Sequence, residues 1–249
     1  MDILETGKRK TIKALLALVI LLSTTSNCYA NTSKVDWEII SNGNGMQLFE
    51  KQNNKGSLVP LKAEMLLPFP IEEVACVLAD TSRKKQWAPS LVKNRILKEL
   101  SIYEHIEYLL VDFPWPLLDR EFLFHVGVSV SDDAKEITIT ANSIIDDILV
   151  PETQFVRGFI HESSMILKDE NGQTRLSAIT YTDPKGKLPK WVVNLFTRIL
   201  APDTLQKFRQ QVEQNLYDEH DIKRIKDFIQ GYRDYKNIRI NHKNLHAQK

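Results

Sequence analysis

"DPKGKLPKWVVNLF", residues 183–196, is the stretch on which the fold turns. A loop carrying a proline and a glycine leads to Pro189, expected in the first turn of a helix, where its missing N–H costs nothing. Beyond it Trp191, Val192, Leu195 and Phe196 fall on one side and Lys190 and Asn194 on the other. The apolar stripe continues through Ile199, Leu205, Phe208 and Val212, so the spacing predicts one long helix, kinked at Pro202. Such a helix needs a surface to cover.

The residues before it supply that surface. Ile106, Tyr108 and Leu110 alternate with their neighbours, as do Phe122, Phe124, Val126, Val128 and Val130, and then Ile137, Ile139 and Ala141. Two further extended runs lie near 156–167 and 174–182, joined by the turn "KDENGQ". Period-two runs linked by short polar turns predict an antiparallel sheet of hairpins. Upstream, residues 35–50 read as a helix or strand broken by a turn at Asn42–Gly45. An extended run from Leu58 to Leu67 ends at Pro68 and Pro70, and "IEEVACVLAD", 71–80, has helical spacing. Helices at the ends rather than between strands make the class α+β.

Composition narrows the function classes. A formal net charge of +1 gives no global field for nucleic acid or for an anionic surface. Hydrophobic residues at 43% and charged residues at 26% are ordinary for a globular chain, so a packed core is expected. The front is different. Lys8, Arg9, Lys10 and Lys13 precede an unbroken apolar run, Ala14–Leu22, and Cys28-Tyr29-Ala30 offers small residues at a cut after Ala30. Residues 1–30 therefore read as a secretory signal peptide, with lipid attachment at Cys28 or an uncleaved anchor as the competing readings. Export to the periplasm or outside the cell is expected. Cleavage would remove four Lys/Arg and two Asp/Glu, leaving 29 against 30 and a net charge of −1. It would leave Cys76 without a disulfide partner, so stability has to come from packing. Residues 31–217 read as one domain, and 218–249 as a charged, solvated helix that frays.

Three blocks in order resemble one family: "DTSRKKQW" (80–87), "DFPWPLLDREF" (112–122) and "TYTDPKGKLPKWVVNLF" (180–196). They are similar to a tryptophan after the first helix, an Asp-Arg-acid-aromatic block opening a central strand, and a Gly-x-Leu-Pro-x-Trp helix entry of the START domain, the StAR-related lipid-transfer module. The resemblance covers roughly residues 35–215. It implies a helix-grip fold, a curved antiparallel sheet wrapped around a long C-terminal helix and enclosing a hydrophobic cavity for one lipid. The cavity lining implied is Glu107, Phe122, Phe124, Val126, Leu188, Trp191, Val192, Leu195, Phe196 and Ile199, with Trp191, Leu195 and Ile199 as lid and wall. Trp87, Asp119 and Arg120 take structural roles, with Arg120 pairing a neighbouring acid.

In sterol-binding members a carboxylate stands where Glu107 does, partnered by an arginine six residues beyond the arginine of the Asp-Arg block. Here that position is Val126. Glu107 then either faces solvent or finds another partner, such as His125 or Arg157, because an unpaired buried carboxylate is costly. The ligand class stays open among sterol, fatty-acyl and phospholipid.

No Gly-x-Ser-x-Gly elbow, phosphate-binding glycine loop or His-Glu-x-x-His occurs, and no cofactor is expected. His242 and His246 have helical ligand spacing without a third acid nearby, so no metal site is expected. Cys76 in an apolar stripe reads as a buried, inert thiol. The leading expectation is a monomeric, non-enzymatic lipid carrier making transient contact with membranes and none with nucleic acid. A helix-grip enzyme of cyclase or hydrolase type is the alternative, with His125, Glu107 and Arg120 as its acids and bases. An interaction module gripping a partner through an apolar groove is the third reading.

Overall fold

The computed structural model describes residues 37–51, 58–113, 115, 117–146, 149–150 and 153–247, with side chains as far as residue 237. Residues 1–30, expected as a leader, lie outside the described residues. The chain opens with a hairpin, β1 (Trp37–Gly43) and β2 (Met46–Lys51), followed by β3 (Leu61–Leu67). Two helices come next, α1 (Ile71–Ala79) and the single turn α2 (Lys84–Trp87). Then come β4 (Leu91–Ser101), β5 (Glu104–Val111), β6 (Arg120–Val130), β7 (Glu136–Ser143), β8 (Val156–Arg157), β9 (Phe159–Glu170) and β10 (Gln173–Asp183). Two long helices close the chain, α3 (Lys190–Glu213) and α4 (Glu219–Ala247).

The strands form one curved, unclosed sheet in the order β1-β2-β3-β10-β9-β7-β6-β5-β4. Pairing is antiparallel except where β8 runs parallel to the first residues of β6. Hairpin chemistry explains much of the order. Asn44 and Gly45 have φ of 53° and 69°, and Asn171 and Gly172 have 58° and 82°, the left-handed pairs that two-residue hairpin turns require. Residues 37–51 therefore form a strand pair rather than a helix.

Register fixes which side chains share the concave face. Glu107 lies opposite Phe124, Leu109 opposite Phe122 and Val111 opposite Arg120. Directly opposed residues in an antiparallel pair point the same way. Continuing across the sheet, Val126 faces Ala141, Ile139 faces Met165, and Met165 faces Ala178. The main core forms on this face, where Val130, Ile137, Leu167, Leu176, Met65 and Leu67 meet α1 and the second half of α3. The convex face carries a smaller cluster of Ile106, Tyr108, Leu110, Leu123 and Val150, covered in part by Leu149 and Phe155 of the β7–β9 connection.

Two expectations are corrected here. Residues 218–249 are not a tail solvated all round, since α4 buries Ile225 and Ile229 in the main core. Tyr103 is also enclosed by Phe228, Tyr232 and Tyr235 of α4 and donates its hydroxyl proton to the Phe228 carbonyl at 2.8 Å. The high charge of α4 is spread over its outer sides and hides a narrow apolar stripe. Secondly, β4 was not anticipated. Register shifts at Leu91/Lys93, Ile96/Lys98 and Glu99/Ser101 break its period-two pattern, so its alternation is not visible in the sequence.

Candidate functional site

Access to the concave face changes along the strands. At one end Ile137, Leu167 and Leu176 are fully covered; at the other, Ala141, Ser163, Met165, Ala178, Thr180 and Thr182 remain partly accessible although they face inward. α3 follows the same gradient. Leu205, Phe208 and Val212 in its second half are buried. In its first half Val192, Leu195 and Phe196 are half-buried, while Trp191 and Ile199 are 59% and 49% exposed. The first half of α3 is thus less buried than the second, just as the inward strand residues at one end of the concave face are less buried than those at the other.

Specific contacts hold this half in place. Pro189 serves as its N-cap, one position earlier than expected, and the helix runs through Pro202 uninterrupted. Along one edge the Val59 N–H donates to Asn194 Oδ1 at 3.2 Å, and Arg198 pairs with Glu50 of β2. Along the other, the Phe196 ring lies 6.3 Å from that of Phe113.

Arg120 braces the loop that enters α3. It is buried, donates to the carbonyls of Leu118 and Pro184, and lies 4.3 Å from the Phe113 ring. Desolvation pulls its guanidinium below its ordinary value, against the opposing charge of Asp119. The expected ion pair with an adjacent acid is not how Arg120 is held. Asp119 instead accepts the Phe113 N–H at 3.2 Å. Both residues contact backbone groups.

Glu107 is 3% exposed and on the concave face. Its partners were not among those expected. Lys84 of α2 donates to Oε1 at 2.6 Å, and His105 Nε2 lies 3.4 Å from Oε2. Burial works to raise the Glu107 pKa, but the His105 hydrogen bond and the charge and hydrogen bond of Lys84 outweigh it, so the carboxyl titrates below its ordinary value. Arg157 serves Glu121 instead, at 2.9 Å on the convex face, where Tyr108 also donates to Glu121 at 3.0 Å. Desolvation, then that bond, push Tyr108 up to about 12. His125 lies opposite Ile106, on the convex side, 3.7 Å from Glu104. Glu107, His125 and Arg120 therefore do not converge.

Of the remaining expected residues, Phe122, Phe124 and Val126 form an inward cluster, and Leu188 is half-buried in the loop before α3. A Cβ built on Gly158 would fall 2.2 Å from the Phe122 ring, so only glycine lets that ring lie flat against the chain. Trp87 packs edge-on to Phe208 at 5.3 Å. Cys76 is buried, and desolvation ahead of nearby Asp221 pushes its thiol up to about 11, an unreactive state. Asp218, His220 and Asp221 bring ligand atoms within 4.8 Å of one another at the start of α4, on largely exposed side chains.

Sequence comparison now carries weight. The START domain family model matches residues 25–216. The chain belongs to the START domain family. An uncharacterized protein of Pseudomonas aeruginosa is 19% identical over 205 residues, covering 81% of this chain and 99% of its own length. The phosphatidylcholine transfer protein of Bos taurus is 21% identical over 174 residues, covering 68% of this chain and 81% of its own. Among solved structures, human STARD10 superposes with a TM-score of 0.66 at 20% identity, over 84% of this chain and 79% of that one. A STAR-related lipid transfer protein fragment from Xanthomonas axonopodis gives 0.62 at 22% identity, over 71% and 98%. At these identities the structures establish the START helix-grip fold.

Proposed function

We propose that this START protein is a non-enzymatic carrier that holds one apolar lipid between the concave face and the first half of α3. What supports the reading is the partial burial of the inward residues Ala141, Ser163, Ala178 and Thr180 and of Val192, Leu195 and Phe196 on the helix, at the end of the sheet opposite the packed core. Apolar area left accessible there is removed from water when a lipid enters, at about 25 cal/mol per Å². Family membership points to lipid binding and transfer. The separation of Glu107 and His125 onto opposite faces favours carriage over acid–base chemistry.

The same end supports a membrane-facing role for transfer. Trp115 and Leu118 in the β5–β6 loop, Ile145 after β7, and Trp191 are all exposed, and Lys187 and Lys190 stand exposed beside Trp191. Aromatic and aliphatic tips with flanking lysines suit the interface of an anionic bilayer. A protein directed out of the cytoplasm by residues 1–30 would make these contacts in the periplasm or outside the cell.

Native mass spectrometry of the protein expressed with its whole sequence tests the reading, with extraction of any bound lipid. The expected result is one lipid per chain, lost in Leu195→Asp, and a mass lowered by the leader. A stable protein that stays empty in the presence of lipid would overturn the carrier.

A further inference from the structure

The last helix, α4, lies outside the family match, which ends at residue 216. Its first part docks on the body, with Ile225 and Ile229 in the main core and Phe228, Tyr232 and Tyr235 around Tyr103. Arg233 donates to the Asp132 carbonyl at 2.6 Å, and Lys236 pairs with the Asp132 carboxylate at 3.0 Å, which fixes the helix against the β6–β7 turn. Beyond Lys236 the helix continues to Ala247, about three more turns. The docking contacts account for α4 as far as Lys236, and the remaining turns have a different character.

Residues 235–249 contain no Asp or Glu, so Arg239 and Lys243 have no acid on their own segment. They stand four apart, a spacing at which like charges repel on a helix. The helix dipole favours a cation in the last turn, but Arg239 lies two turns before the end. The nearest acid on the docked part, Asp132, is already committed to Lys236. Ile238 and Leu245, seven apart, share one face of the helix beside the flank that carries Arg239 and Lys243. Two aliphatics are too little for a stable protein interface. With cations beside them they suit shallow insertion at an anionic bilayer. Ile102 at the β4–β5 turn, next to the Tyr103 that α4 encloses, is exposed at this same end.

Position gives the site a use. β6 runs from Arg120, just after the loop of Trp115 and Leu118, to Val130, just before Asp132. Its 11 residues, at about 3.3 Å each, put α4's outer turns about 35 Å from the lipid-entry end. We infer that the C-terminal turns of α4 are a second membrane-binding site, which takes an anionic phospholipid surface at the end of the molecule opposite lipid entry. With α4 on one bilayer, Trp115 and Trp191 stay free to meet another. The site stands independently of the carrier reading; its bridging use rests on that reading.

Sedimentation of the full chain with phosphatidylcholine vesicles, with and without phosphatidylglycerol, tests it. Binding should need phosphatidylglycerol and weaken as salt rises. Each basic side chain near an anionic surface is worth roughly fivefold in affinity. Arg239→Glu/Lys243→Glu should therefore weaken binding by roughly 30-fold or more, whereas Arg239→Lys should bind as the parent protein does. Trp115→Ser/Trp191→Ser should keep the phosphatidylglycerol-dependent binding and lose the clustering of vesicles seen by light scattering. Undiminished binding of Arg239→Glu/Lys243→Glu, or binding indifferent to phosphatidylglycerol, would overturn the α4 site while leaving the carrier standing. A fall in the Tm of that variant would overturn it too, by showing that the two cations serve contacts with the body. No binding to either kind of vesicle would rule out a lipid surface as the occupant. If Trp115→Ser/Trp191→Ser clusters vesicles as well as the parent, the α4 site stands and the membrane role of the lipid-entry end fails.

Discussion

The two halves of α3 are one continuous helix performing different tasks. The second half inserts Leu205, Phe208 and Val212 into the main core, with Phe208 only 1% exposed and edge-on to Trp87. In the first half Val192, Leu195 and Phe196 are only half-buried, and Trp191 is shown to solvent. Helical spacing is the same in both, so periodicity alone cannot tell an anchor from a cover. What differs along the concave face is side-chain size: large aliphatics at Leu167 and Leu176 pack in the core with the anchor, whereas Ala141, Ser163, Ala178 and Thr180 stand at the other end and are partly accessible. On the proposed carrier reading, it is small residues on the strands that would make the space.

The largest effect that could break this contrast is at the anchor. Phe208→Ala should cost about 3–5 kcal/mol in a denaturant melt, as a large buried ring leaves a cavity, whereas Leu195→Ala should cost under about 1 kcal/mol and weaken lipid binding instead. Similar losses at both positions would erase the distinction. Next in size is Lys84→Met, which strands a buried carboxylate beside the open half; about 2–4 kcal/mol should be lost and largely recovered in Lys84→Met/Glu107→Leu. No recovery in the double variant would show that Lys84 stabilises through something other than Glu107. Gly158→Ala forces a methyl against Phe122 and should cost about 1–3 kcal/mol by overpacking, read as a lowered Tm.

The smallest effect concerns pH. Glu107 has a folded pKa below its ordinary value, so its contribution is present above the unfolded carboxylate range and is lost as pH falls through the folded value. Stability measured from neutral to acid pH should therefore fall only below the ordinary carboxylate range, and Glu107→Gln should flatten that acid limb. An unchanged limb would mean that other carboxylates set it.

How much of this was legible in the sequence follows from range. The hairpins, α1 and the long helix are local, and alternation, Asn-Gly turns and prolines announce them. The inward position of Phe122, Phe124 and Val126 follows from the same alternation. Glu107's partner was not legible, because Lys84 reaches it from a one-turn helix 23 residues away in sequence, and no spacing rule connects them. The face of His125 was ambiguous until β5–β6 register fixed it. Trp191 read as a lid because it shares the apolar stripe; in the structure it occupies the first helical turn and is exposed.

Hydrogen exchange along α3, with and without lipid, tests the central claim most directly. In the ligand-free protein, amides of residues 191–200 should exchange well ahead of those of 205–213, and lipid should slow the first group while leaving the second unchanged. Uniform protection of the whole helix in the absence of lipid, or equal slowing of both halves on binding, would contradict the division into cover and anchor.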